Sequence, residues 1–338
     1  MKSKVKVLCF IFLGFWIALS IMPGICAEAK TVKLTLISAY AKDRLWNKHL
    51  FQWMDKVKEN SGGRIVIEWR GGPEVVSPFE NLAPVSKGMF DLLSTTSAYH
   101  PNVVPDATFI QLSDTSPMDL RRLGVINILD DVYRKKVNLT VLGWAFHGAG
   151  FGTLTVPPVK KLDDLKGMKA RVVPQWIPVA KAYGMVPVNL SIPETYSALE
   201  KGIVDAVLFV LDPTIDENGW YEQLKYIITS EMLYRTTNPI FMNVDSWNRL
   251  SKEDQGILVD AIKALEPEMY KFYVQLTQKE IERAISKGLT EVEFSEAEAR
   301  EYMRLQFQAQ WKEAERMAPE TAAKMAEILP IPEGFLPR

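Results

Sequence analysis

The chain has 338 residues, 47% of them hydrophobic, and carries 40 basic against 41 acidic side chains. This balance excludes the strongly basic surface that nucleic-acid-binding proteins present. The length is sufficient to bury a large apolar core and predicts two lobes or domains. Both cysteines, Cys9 and Cys26, lie near the N-terminus, so the remaining chain has no disulfide, thiol nucleophile or cysteine-based metal site.

The N-terminal segment is typical of a cleaved secretory signal. Three lysines within the first six residues precede an apolar stretch, residues 7–21, that is too short for a comfortable membrane span. Small residues allow cleavage after Ala27, which we prefer, or after Ala29. We therefore predict a signal peptide over residues 1–27 and a periplasmic location, and no later apolar run reaches membrane-spanning length.

Two rival interpretations of this segment are less favoured. An uncleaved membrane anchor conflicts with the helix-breaking Pro23-Gly24 directly after the apolar stretch. A lipoprotein attached through Cys26 conflicts with Ile25, which occupies a position that normally holds a small residue.

Strand and helix patterns alternate through the first half of the chain. This rhythm predicts an α/β fold with a mostly parallel sheet. The predicted elements include a strand at 32–37, a helix at 45–59, a strand at 65–69, a helix at 120–134, and strands at 139–146 and 240–244.

One long helix is predicted over residues 251–287. Apolar residues recur every three or four positions between Leu258 and Leu276, which is the period of a helix with one buried face. Ser251 begins it as a cap, Gly288 ends it, and Pro267 is expected to kink it.

Arg171 is the main candidate binding residue. It lies at the end of a predicted buried strand, shortly before Pro174 and a helix start, where carboxylates are commonly bound. From the local sequence alone a salt bridge is the more common role of a single arginine.

The surrounding run is more specific than this single residue. Residues 165–171 read LKGMKAR, and residues 193–206 read PETYSALEKGIVDA. This run resembles the solute-binding proteins of TRAP transporters (the DctP-like periplasmic family), which share LKGxKxR followed by ExYxALxxGxVDG. The segments GMFD at 88–91 and residues 243–255 extend the resemblance.

The resemblance implies an α/β, two-lobed periplasmic binding protein fold with a long helix that braces both lobes. It implies lobe I over residues 30–150 plus 237–270, and lobe II over residues 151–236 plus 271–330. In this family the motif arginine, here Arg171, binds the carboxylate of the ligand.

The implied function is that of a receptor, not an enzyme. It binds a small organic acid and delivers it to the integral-membrane subunits of a TRAP permease, without a cofactor. The three histidines are widely separated, which makes a metal site improbable. The alternatives are an exported enzyme that acts on a carboxylate in the same cleft, and a receptor that senses the ligand.

This sequence departs from the family pattern at the predicted pocket. Phe209 stands where the family often has an asparagine that contacts the carboxylate, and Ile192 replaces an aromatic residue. The second arginine found upstream in sialic-acid-type members of the family has no counterpart in the sequence near Phe151. These changes favour a monocarboxylate with an apolar body over a sugar acid.

Further aromatic and polar residues are weaker candidates for the pocket. Trp176, Tyr40 and Trp144 would form apolar walls, although each such residue is more often simply part of a core. Tyr99 and His147 are candidate polar partners. The glycine-rich residues 147–152 precede a strand rather than a helix, so we reject a nucleotide loop and predict close backbone packing.

Overall fold

The computed structural model describes residues 31–337, so the predicted signal peptide at 1–27 lies outside the described residues. Within this range the strands are β1 (Val32–Ser38), β2 (Ile65–Gly71), β3 (Leu92–Ser94), β4 (Leu139–Thr155), β5 (Lys169–Val172), β6 (Val186–Asn189), β7 (Ala206–Val210), β8 (Tyr226–Ile228), β9 (Arg235–Asn243) and β10 (Thr290–Val292).

Helices surround these strands. They are α1 (Lys48–Asn60), α2 (Leu82–Ser86), α3 (Pro117–Arg122), α4 (Val125–Val137), α5 (Ile177–Ala182), α6 (Ile192–Glu200), α7 (Thr214–Glu217), α8 (Val244–Asn248), α9 (Lys252–Ser286), α10 (Glu296–Met317) and α11 (Pro319–Ile328). Helix α5 follows β5 and helix α6 follows β6, so strands and helices alternate here as well.

Two sheets share the long strand β4. The first has the order β2-β1-β3-β9-β4, with β1 parallel to β2 and β3, and β9 antiparallel to both neighbours. In the second, β4 is antiparallel to β7 and β8, while β7, β5 and β6 run parallel. Residues 139–150 of β4 therefore pair in the first sheet and residues 151–155 in the second.

Helix α9 packs against parts of both halves. Near its start, the carbonyl of Leu258 accepts a hydrogen bond of 2.9 Å from the indole Nε1 of Trp53 on α1. Near its end, Glu280 accepts one of 2.6 Å from the hydroxyl of Tyr221. The predicted long helix is confirmed, with Ser251 as its N-cap and Pro267 inside it.

Glycines let α9 lie directly on β4. Gly148 has a φ of +114°, and a Cβ there would lie 2.9 Å from the ring of Tyr270 on α9. A Cβ on Gly150 would lie 2.9 Å from Thr277. The close backbone packing predicted for residues 147–152 is confirmed, and these glycines lie inside a strand.

Three predicted boundaries were wrong. The single helix predicted over 120–134 is divided into α3 and α4 at Gly124, whose φ of +75° cannot continue a helix. The strand predicted to end at Phe146 continues to Thr155, because its glycines pair with neighbouring strands instead of forming a loop. Strand β9 begins at Arg235, earlier than predicted, and includes Pro239.

Candidate functional site

Arg171 lies in β5, at the end of the parallel group β7-β5-β6. Its register partners are Val188 on β6 and Val207 on β7. Because the strands are parallel, their carboxyl ends meet at one edge, where α/β proteins commonly bind ligands. Phe209 lies two residues beyond Val207 and therefore at the same edge.

The Arg171 side chain is buried without an acceptor. It is 1% exposed, and none of its three guanidinium nitrogens has a hydrogen-bond partner among residues 31–337. Its Cζ lies 5.1 Å from the ring centroid of Phe209 and 5.8 Å from that of Trp220. Burial lowers the pKa of Arg171 to about 10, so the group remains a cation at neutral pH.

A buried and unpaired cation is costly for a folded protein. The faces of Phe209 and Trp220 recover part of this cost through cation–π attraction. They leave the five N–H donors of the guanidinium unused. The arrangement is therefore suited to an anion with a planar pair of oxygens, which a carboxylate supplies.

Six of the eight predicted pocket residues line one small cavity of about 30 Å³. These six are Arg171, Phe209, Tyr40, Tyr99, Trp176 and Ile192. They come from distant parts of the chain, with Tyr40 following β1, Tyr99 following β3 and Ile192 at the start of α6. The structure thus brings together residues that the sequence separates by up to 169 positions.

The predicted polar partner Tyr99 lies beside this cation. Burial raises the pKa of Tyr99 above its usual 10, although the positive charge of Arg171 opposes this shift. The phenol therefore stays protonated at neutral pH and can donate a hydrogen bond. The Tyr40 ring lies 6.5 Å from the Tyr99 ring, and burial raises the pKa of Tyr40 as well.

His147 is placed apart from the other predicted residues. It does not line the Arg171 cavity. Its Nε2 lies 3.0 Å from the carbonyl oxygen of Thr115, which can only accept, so Nε2 carries the proton. The ring lies 5.8 Å from Tyr270 on the long helix, and burial lowers the pKa of His147 to about 4. Trp144 lies 6.0 Å from His147 and is also outside the cavity lining.

The sequence reasoning missed several wall residues. Phe151 stacks on Trp176 with ring centroids 3.8 Å apart and planes 6° apart, and Tyr234 meets both rings edge-on. Trp46 stacks on Tyr40 at 4.4 Å. Extending the β4 strand pattern through the glycines would have identified Phe151, whereas no sequence signal places Tyr234 or Trp46 here.

A larger cleft adjoins the Arg171 cavity. Its volume is about 530 Å³, and Tyr40, Trp46, Tyr99 and Ile192 line both spaces. Glu194 also lines this cleft, and its carboxylate caps α6 by accepting hydrogen bonds from the backbone N–H and the hydroxyl of Ser191.

Residues 38–317 match the sequence profile of the DctP family, described as bacterial extracellular solute-binding protein, family 7. The chain belongs to this family. The match covers the first sheet, the second sheet and the long helix, and it confirms the resemblance drawn from residues 165–206. The family is one of substrate-binding receptors.

Two relatives cover most of the chain. The uncharacterized protein YiiZ of Salmonella typhimurium is 26% identical over 256 residues, which are 72% of this chain and 76% of that protein. A monocarboxylate 2-oxoacid-binding periplasmic protein of Nostoc is 25% identical over 265 residues, which are 71% of this chain and 68% of that protein.

The fold is also that of a solved receptor. A TRAP periplasmic solute-binding protein from Desulfovibrio salexigens, solved with bound orotic acid, superposes with a TM-score of 0.77 at 17% identity. The superposition covers 88% of this chain and 97% of that protein. The predicted two-lobed α/β fold with a bracing helix is therefore confirmed. No helix within residues 31–337 has both the length and the apolar character needed to cross a bilayer.

Proposed function

We propose that this protein is a periplasmic receptor for a small monocarboxylate with an apolar body, and that Arg171 binds the carboxylate between the two lobes. The observation that carries this proposal is the buried guanidinium, which has no acceptor among residues 31–337. The relatives that bind a monocarboxylate 2-oxoacid and orotic acid support a carboxylate as the recognised group.

The preference for apolar groups next to the carboxylate follows from the walls of the cavity. Phe209, Trp176 and Ile192 offer no hydrogen-bond acceptor to a hydroxyl group, and Phe151 adds a further apolar face. A hydroxyl group that lies against these apolar walls would be unpaired, which costs binding energy. An apolar substituent on the acid gains from the same burial.

Delivery to a membrane permease completes the proposed function. The lobes enclose the acid by a hinge motion, and the closed receptor transfers it to integral-membrane TRAP subunits. We propose lobe I over residues 30–150 plus 237–270 and lobe II over 151–236 plus 271–330. Export depends on the predicted signal peptide at residues 1–27.

Calorimetry with a panel of monocarboxylates tests the proposal. Arg171→Ala should weaken the tightest acid by at least about thirtyfold, because truncating one partner of a desolvated charge pair costs about 2–5 kcal/mol. Arg171→Lys should also weaken it, since an ammonium keeps the charge but loses the planar fork. The exposed Arg122, which pairs with Asp119, gives the matched control Arg122→Ala.

The stability of the unliganded variant separates lost binding from misfolding. Arg171→Ala removes an unpaired buried cation, so its unfolding midpoint without ligand should equal or exceed that of the wild type. Undiminished acid binding by this folded variant, or tight binding of an uncharged sugar, would refute the proposed role of Arg171.

A further inference from the structure

Two spaces of very different size share four lining residues. The inner cavity around Arg171 has about 30 Å³, and the outer cleft has about 530 Å³. Tyr40, Trp46, Tyr99 and Ile192 line both spaces, and we call these four residues the neck. A ligand that extends from Arg171 into the outer cleft therefore lies against the neck.

The inner cavity limits the part of a ligand that Arg171 can hold. One water-sized group needs roughly 10–15 Å³ of cavity volume, so the inner cavity accepts about two groups of that size. This matches the two oxygens of one carboxylate. The stacked pair Phe151 and Trp176, at 3.8 Å, occupies the adjacent volume. No space of the size of an aromatic ring is left beside Arg171.

The outer cleft has the properties of a site for an apolar body. Its volume falls in the usual range for small-molecule sites, roughly 300–1,000 Å³. Beyond the neck its apolar lining includes Phe79, Pro73 and Pro78, and its polar lining residues are Arg44, Ser77, Ser191, Glu194, Thr214 and Asn218. The rings of Tyr99 and Phe79 meet edge-on with centroids 5.2 Å apart. Aromatic surface therefore continues outward from the neck, and it suits a flat ring.

We infer that the ligand is an elongated monocarboxylate with an aromatic body. Its carboxylate binds Arg171, a slim linker of a few methylene groups passes the neck, and the ring lies in the outer cleft against Phe79. This inference rests on the proposed function, because the carboxylate must bind at Arg171. It adds the length of the ligand and the position of its ring.

A series of acids with increasing length tests the inference by calorimetry. The probes are propanoate, 3-phenylpropanoate and 5-phenylpentanoate. Each buried methylene contributes about fourfold in affinity and the ring adds more, so 5-phenylpentanoate should bind at least about fiftyfold more tightly than propanoate. Equal or tighter binding of propanoate would overturn the inference, as would failure of 5-phenylpentanoate to bind.

Variants of the outer cleft locate the ring. Phe79→Ala removes its aromatic contact, and Ala41→Trp fills the cleft, which Ala41 also lines. Each should lower the affinity ratio of 5-phenylpentanoate to propanoate by about tenfold. Phe51 packs against Trp69 and lines neither space, so Phe51→Ala is the matched control. An unchanged ratio in the folded outer-cleft variants would overturn the inference.

Arg171→Ala distinguishes the two proposals. If it weakens both acids while the outer-cleft variants leave the ratio unchanged, the carboxylate role stands and the elongated ligand is refuted. If it weakens neither acid, the proposed function itself fails.

Discussion

At the scale of single residues, Asp212 is a second buried charged group near the site. Its side chain is fully buried, and its Oδ1 accepts a 2.9 Å hydrogen bond from the backbone N–H of Thr214. Its Oδ2 has no partner among residues 31–337. Burial raises the pKa of Asp212 to about 7, and the negative charges of Glu280 and Glu217 add to this shift.

The sign of the resulting pH dependence follows from this raised pKa. An unfolded aspartate ionises near pH 4, so between about pH 4 and 7 the native state holds a proton that the unfolded state releases. The contribution of Asp212 to stability is therefore fully present below about pH 4 and is lost as the pH rises through 7.

Asp212→Asn should remove this loss. The free energy of unfolding of the wild type should fall between pH 5 and pH 8. That of the variant should fall less, and the difference between the two falls should reach up to about 3 kcal/mol. Urea unfolding at both pH values measures the difference. Asp131 is exposed, so Asp131→Asn is the control. A variant whose pH dependence equals that of the wild type would show that Asp212 is ionised in the native state.

The site residues differ in how far the sequence predicts them. Arg171 and Phe209 lie in a family motif, and the structure places both at the same strand edge. Trp46 and Tyr234 reach the cavity only through tertiary packing, which local periodicity does not encode. His147 is the opposite case, a residue that the sequence suggests for the pocket but that the structure places elsewhere. The strand predicted to end before His147 continues through it, and its ring lies beside that of Tyr270.

At the scale of elements, the contact between β4 and α9 requires glycine at one position, while a glycine within α9 itself is not needed. Gly148 has a φ of +114°, which L side chains rarely adopt, and the ring of Tyr270 occupies the space for a Cβ. Gly256 lies in α9 itself, without a positive φ and without any atom within 4 Å of an added Cβ. The same substitution should therefore have opposite effects at these two positions.

Gly148→Ala should destabilise the protein by at least about 1–3 kcal/mol, because it adds an overpacked methyl group to a strained backbone. Gly256→Ala should stabilise it by about 0.4–1 kcal/mol, because alanine favours the helix. Thermal unfolding of both variants measures the two effects. Stabilisation by Gly148→Ala would mean that α9 does not rest on this part of β4.

The elements themselves were predicted unevenly. The apolar stripe of α9 has a clear helical period, and Leu258, Met269 and Leu276 are buried as it implies. The length of β4 was missed because its glycines are typical of loops, and only pairing with β9 and β7 makes them a strand. Pairing is a long-range property, so the local sequence does not reveal it.

At the scale of the whole molecule, two contacts join the proposed lobes beside the outer cleft, which Arg44, Trp46 and Thr214 line. Arg44 Nη1 lies 2.8 Å from Glu217 Oε2, and the indole N–H of Trp46 donates to the hydroxyl of Thr214 at 3.2 Å. With the lobe boundaries proposed above, Arg44 and Trp46 belong to lobe I and the other two residues to lobe II. We therefore propose that these contacts form only when the lobes close.

Glu217→Gln should speed the dissociation of the bound acid. A half-exposed ion pair contributes about 0.2–1 kcal/mol, so the dissociation rate should rise by up to about fivefold. The association rate should change little, because the open receptor lacks this contact. Stopped-flow tryptophan fluorescence reports both rates, because Trp46 and Trp176 line the inner cavity.

The Arg304–Glu301 pair on α10 is the matched control for this last prediction. Its side chains are 36% and 42% exposed, against 31% and 40% for Arg44 and Glu217. It joins two residues of one helix, so Glu301→Gln breaks a comparable ion pair without touching the outer cleft. If both variants release the acid at the wild-type rate, the Arg44–Glu217 pair does not hold the lobes closed. If both accelerate release equally, the effect is one of overall charge and not of the contact between the lobes.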